Sequence, residues 1–175
     1  IACKSERSTD TSVAAVAMVP SRTDQPDMVP VVTYATLERD TARKVQLIPV
    51  ENETYPLHII SYSLNDSSVI NRYHDGSTSI DHDRAFLLLL EGYGSDRSIV
   101  LDRTTFRDSL YADFFQRSRL YLVDFTTVRS NALYFDAFIG VPETDNAQEF
   151  EVQWFFRGPR VGTVRFIGKE GSDDL

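Results

Sequence analysis

The sequence predicts an all-β chain: a two-sheet antiparallel sandwich of jelly-roll type, with one short helix near 104–116 and an extended N-terminal arm. Three observations carry that expectation. Nine short segments are dominated by Val, Ile, Thr, Tyr and Phe and are separated by Gly, Pro, Asn and Asp. No alternation of strand and helix patterns runs along the chain, which excludes a parallel βαβ design. Several segments alternate apolar and polar residues with a period of two, so each buries one face. A single open sheet of that many strands would leave an aromatic face wet, so two packed sheets follow.

The clearest segment is 132–167. Leu133, Phe135, Ala137 and Ile139 alternate along one run, Phe150, Val152, Trp154 and Phe156 along the next, and Val161, Thr163, Arg165 and Ile167 more weakly along a third. Pro142 and Gly158-Pro159 separate the runs, which reads as a β-meander. Phe155 breaks the polar side of its strand, and this predicts that the second face is covered too, by the arm or by another subunit. Upstream, strands are expected at 31–37, 43–50, 57–63, 85–91, 97–101 and 119–128, then at 132–141, 149–156 and 160–167. Leu87 to Leu90 is continuously apolar, as in a strand covered on both faces or at the centre of a sandwich. The helix expected over 104–116 rests on Phe106, Leu110 and Phe114 recurring every fourth residue, with Thr104 or Thr105 as its cap. Residues 64–84 read as a long polar connection, in which Asp75-Gly76 forms a tight turn.

At 175 residues the chain is large enough for one domain with a real core. The expected organisation is an arm over 1–30, a sandwich over 31–168 and a polar tail over 169–175. Pro20, Pro26 and Pro30 keep the arm extended, and Val13 to Val19 offers at most one short strand. Such an arm becomes ordered only against a surface, its own or a neighbour's, which points to an assembly. No run of about 18 apolar residues is present, so no membrane-crossing helix is expected. The formal charge of −8, with fifteen Arg and three Lys dispersed along the chain, argues against specific nucleic-acid binding and against anionic membranes. The exception is lipidation: Ile1-Ala2-Cys3-Lys4-Ser5 resembles the end of a bacterial lipoprotein signal, although the charged and apolar parts of such a signal do not precede it. As the single cysteine, Cys3 forms no internal disulfide.

Chemistry-bearing clusters are sparse. Between Tyr73 and Asp83, His74, Asp81 and Asp83 would converge on a metal only if the loop folds back; the plainer expectation is a hydrophilic loop. His58 sits between apolar neighbours in LHIIS and reads as a packed strand residue rather than a base. Glu149 and Glu151 share a strand face, as paired glycosidase carboxylates would, but they alternate with core aromatics and so face solvent. Gly92-Tyr93-Gly94 lacks the residues that a phosphate loop needs and reads as a turn; no G-x-S-x-G, Walker A, dinucleotide-binding or HExxH pattern occurs. Asn52-Glu53-Thr54 and Asn65-Asp66-Ser67 match the glycosylation pattern, which matters only in a eukaryotic secretory setting. The expectation is therefore no catalytic, cofactor-binding or metal residue, no cofactor and no enzyme. A hydrolytic or lectin-like domain would have to rest on His74, His82 and Asp83.

At its closing meander the chain resembles picorna-like virus capsid proteins of the comovirus small-subunit kind. The strand LYFDAFIGV leads through PETDNAQ to Gln148-Glu149-Phe150-Glu151-Val152, then over RGPR to Val161-Gly162-Thr163. That resemblance implies an eight-stranded jelly roll in an icosahedral virion shell, with the arm contacting neighbouring subunits. Partners would be copies of the chain and other structural subunits. The alternative is a bacterial envelope lipoprotein or appendage subunit with a β-sandwich body. The aromatic wealth of 111–138 fits either an interface or a sandwich core.

Overall fold

Short polar turns hold consecutive strands side by side, and this decides the topology. The computed structural model describes residues 30–94 and 97–168. Along them run β1 (Val32–Tyr34), β2 (Ala42–Val50), β3 (Glu53–Ser63), β4 (Val69–Arg72), β5 (Thr78–Asp81), β6 (Arg84–Leu90) and β7 (Arg97–Leu101). A 3-10 helix (Arg103–Ser109) and α1 (Ala112–Arg117) follow, and then β8 (Arg119–Arg129), β9 (Ala132–Gly140), β10 (Ala147–Phe155) and β11 (Val164–Gly168).

The chain is all-β with three sheets. Sheet I has the order β2-β3-β6-β7, sheet II the order β11-β10-β9-β8, and sheet III the order β1-β5-β4. Pairing is antiparallel throughout except for the short β1–β5 pair. Sheets I and II each draw on their own half of the chain. Two-residue turns at Glu51-Asn52 and Ser130-Asn131 keep β2 beside β3 and β8 beside β9. Neither sheet has the 4-1-2-3 order of a Greek key, from which jelly rolls are assembled. The observed order is that of two stacked meanders.

Sheets I and II close over one core. Leu57, Ile59, Leu88, Leu90 and Ile48 enter it from sheet I, and Leu133, Phe135, Ile139, Val152 and Trp154 from sheet II. The registers explain why. Leu57 faces Leu90 and Ile59 faces Leu88, while Phe135 faces Val152 and Leu133 faces Trp154, so each cross-strand pair presents its side chains to the same side. The linking 3-10 helix adds Phe106, fully buried between Phe150 and Phe166 at ring distances of 5.2 and 4.6 Å.

Two parts of the chain differ from the sequence expectation. Residues 64–84 are not one connection; β4 and β5 form a hairpin within them, turning at Asp75-Gly76 as expected, with Gly76 at φ 83°. Ser, Asn and Asp between Val69, Ile70 and Ile80 hid its short apolar repeat. The helix expected over 104–116 is broken at Leu110, whose backbone is extended, giving a 3-10 helix and then α1. Its cap is Asp102, not Thr104 or Thr105. The Asp102 carboxylate accepts the N–H of Thr105, and the Thr105 hydroxyl accepts the N–H of Asp102, a reciprocal capping box. The arm, Cys3, Val13–Val19 and the tail over 169–175 lie outside the described residues.

Phe106→Ala is expected to lower the unfolding free energy by about 3–5 kcal/mol, because it removes a fully buried ring from between two others. Tyr111→Ala, at an exposed side chain one turn away, is expected to stay within about 0.5 kcal/mol of wild type. Urea unfolding of both variants measures the contrast.

Candidate functional site

Where sheet III joins the sandwich, the chain buries a charged centre. Asp83 and Arg103 are 1% and 4% exposed, and the Asp83 carboxylate lies 3.6 Å from the Arg103 Nε. Each completes its shell with backbone. Asp83 accepts the N–H groups of Arg84 and Leu120 at 2.8 and 3.3 Å. Arg103 donates to the carbonyls of Phe115 and Ser118 at 2.7 and 2.8 Å and to the Ser68 hydroxyl at 2.9 Å, with its guanidinium 4.5 Å from the Phe115 ring centre. Burial pushes the Asp83 carboxyl above the ordinary carboxylate range, against the pull of the Arg84 N–H and of Arg103. Burial likewise pulls the Arg103 guanidinium down, opposed by Asp83. The two shifts agree: taking both charges out of water costs more than their mutual attraction alone returns.

Asp66 and His82 complete the joint. Burial pushes the Asp66 carboxyl up, but the Asp83 N–H together with the Ser68 hydroxyl and N–H hold it below its usual value. The His82 Nδ1 accepts the Ser67 N–H at 3.1 Å, so its proton sits on Nε2, which is buried with no protein partner. Together these contacts fasten residues 66–68 and 82–83 to the crossover helices and to the start of β8. This arrangement is a clamp. The two terminal nitrogens of Arg103 donate to Phe115, Gln116, Ser118 and Ser68, and Asp83 accepts from Arg84 and Leu120, while the Arg103 Nε, 3.6 Å from Asp83, is buried without a hydrogen-bond partner.

The other sequence candidates are dispersed. His74 is exposed at the hairpin tip, Asp81 accepts from the Ser79 hydroxyl at 3.2 Å on β5, and Asp83 is inside the clamp. Among the described residues, no group of three His, Cys, Asp or Glu side chains is placed to hold a metal ion. His58 is buried in β3, as a packed strand residue. Its Nδ1 accepts from Arg43 at 2.8 Å, so Nε2 donates to Glu91 at 2.5 Å. Glu149 and Glu151 do lie on the outer side of sheet II, and Gly92-Tyr93-Gly94 is a turn. Phe155 is only 9% exposed; among the described residues the 157–162 bend lies over it and puts the Arg160 guanidinium 5.6 Å from its ring, while the arm that was expected as one possible cover lies outside the described residues.

What the sequence did not separate is the character of the two outer faces. The register of sheet I turns Val45 and Leu47 of β2, Ile60 of β3, Leu87 and Leu89 of β6 and Val100 of β7 away from the core. Leu47 is 70% exposed, and Val45 and Val100 about half. Sheet II turns Asp124, Asp136, Glu149 and Glu151 outward instead, with Asp124, Asp136 and Glu151 directly opposite one another across three strands. An antiparallel sheet on the surface of a sandwich ordinarily shows water a polar outer side. Sheet II sets Leu122, Phe138 and Ile167, each about a third to a half exposed, among its carboxylates, whereas the outer side of sheet I is the more continuously aliphatic. Among the described residues no helix is long and apolar enough to cross a membrane.

Asp83→Ala is expected to cost about 3–5 kcal/mol, since it leaves the Arg103 charge buried and unpaired. Arg103→Met is expected to show a pH-dependent loss. A carboxyl whose folded pKa lies above its unfolded value stabilises the fold while protonated, and that contribution disappears as pH rises through the folded pKa. The deficit of Arg103→Met relative to wild type should therefore be smaller near pH 4 than near pH 7, as measured by denaturant unfolding at both.

No protein-family model matches the chain, and no curated protein matches it either.

Proposed function

We propose that the chain is a structural subunit of a multi-subunit shell, of the viral capsid kind that its closing meander resembles, and that it works through contact surfaces rather than through a reaction. The observation that carries this reading is the outer side of sheet I. Six aliphatic side chains spread over four adjacent strands form one face rather than scattered exposures. Contiguous apolar faces of this extent mark protein contact sites. Sheet III adds Val32, Tyr34 and Ile70, all more than a third exposed, where the chain enters from the arm.

The clamp around Asp83 supports the same reading. A shell subunit must hold its shape while neighbours press on it, and a buried ion pair bonded to backbone groups of several elements ties sheet III to the crossover and to β8. The jelly roll that the resemblance implies would need strands exchanged between sheets; the shell reading rests on the rigid two-layer body and its contact faces instead.

The test is assembly of the full chain, alone and with the other structural proteins of its source. Closed particles of uniform size in negative-stain electron microscopy are the expected outcome. A chain that stays a monomer under every such condition would refute the reading.

A further inference from the structure

The geometry points to a second copy of this chain as the occupant of the outer face of sheet I, stacked on it face to face about a two-fold axis. This deepens the shell reading by naming the partner of one contact, and it rests on that reading. Three features single out a second copy. The first is charge. Each chain carries −8, so two copies approach closely only through a face that is locally neutral. Among the described residues the charged groups on this face are Arg43, His58 and Glu91, and they are joined to one another: Arg43 donates to the His58 ring and the ring donates to Glu91. Sheet II is less suited to the same role, because Asp124, Asp136 and Glu151 stand in one row on it; Asp124 is held by Lys44 and Glu151 by Gln153, contacts that a stacked copy would have to desolvate.

The second is size. Four strands about 4.8 Å apart and about seven residues long make a face of about 20 by 24 Å, so two of them cover about 1,000 Å², where specific interfaces begin. The third is shape. A two-fold contact uses one patch twice and so needs a patch complementary to itself, which a flat aliphatic sheet face is. Stacked at the usual sheet spacing of about 10 Å, Leu47, Leu87, Leu89 and Val100 would interdigitate with their copies and cover the second face of β6, where Leu87 and Leu89 are only partly buried.

Analytical ultracentrifugation of the full chain tests this, together with the double variant Leu47→Glu, Val100→Glu and the control Leu122→Glu on sheet II. Wild type and the control are expected to sediment at twice the chain mass. The double variant is expected at the chain mass with unchanged circular dichroism, its dissociation constant raised about 100-fold or more by burying carboxylates against aliphatic groups. A monomeric wild type, a double variant that still dimerises, or a control that dissociates would each overturn the proposal. If wild type is monomeric and deleting 1–29 creates dye-binding apolar surface that Leu47→Glu, Val100→Glu removes, the chain's own arm is the occupant and the proposal fails. The two readings fail separately: dimers that never form particles refute the shell alone, and particles built from the double variant refute the dimer alone.

Discussion

The buried pairing of Asp83 with Arg103 is the constraint on which the rest of the structure depends. Asp83 sits at the junction between β5 and β6, and Arg103 opens the crossover from sheet I to sheet II. Through Leu120, Ser118, Phe115 and Ser68 the pair reaches the first residues of β8, the end of α1 and the approach to β4. The crossover is also anchored by Phe106 and Phe114 in the core, and the hairpin by Val69, by β1 and by the Asn71–Arg117 contacts; the ion pair ties these two anchored pieces to each other. A buried ion pair is seldom the most stabilising choice; apolar side chains of similar volume often do as well or better. What it adds is uniqueness, since only one placement of the hairpin satisfies both charges and their backbone partners at once.

Legibility from sequence followed the strength of the local pattern. Strands β2, β3 and β6 to β10 announced themselves, because alternation or continuous aliphatic runs over five residues or more leave little choice of partner face. β11 was placed early and β1 too long, both being short and mostly exposed. The β4–β5 hairpin was invisible for the opposite reason: its residues are polar, and it is held by the clamp rather than by its own apolar repeat. The crossover was half legible. Phe106 and Phe114 were identified as inward-facing, but the break at Leu110 comes from a tertiary demand, that Phe106 reach sheet II while Arg103 reaches Asp83. Topology was not legible at all, since period-two alternation says which side of a strand is buried and nothing about which strand lies beside it.

The same limit hid the site. Nothing in the local sequence marks Arg103 as buried, and Asp81-His82-Asp83 reads as a hydrophilic loop until β6 is seen to start at its end. The outer face of sheet I left a trace in Leu87 to Leu90, a run that fits a strand covered on both sides or the centre of a sandwich. Only the register shows that Val45, Leu47, Ile60 and Val100 extend that demand across the whole sheet. Phe155 gave the same kind of sequence signal, and there the 157–162 bend lies over the ring.

The two outer sides of the sandwich differ, sheet II carrying a row of carboxylates and sheet I the more continuous aliphatic face, and this difference is what the proposed assembly would use. Residue-level solvent footprinting by hydroxyl radicals, across a range of protein concentration, tests this most directly. The account predicts that Leu47, Val100 and Leu89 become protected together as concentration rises, while Leu122 and Ile167 on sheet II react equally throughout. Equal reactivity of both faces at every concentration, or protection confined to sheet II, would contradict it.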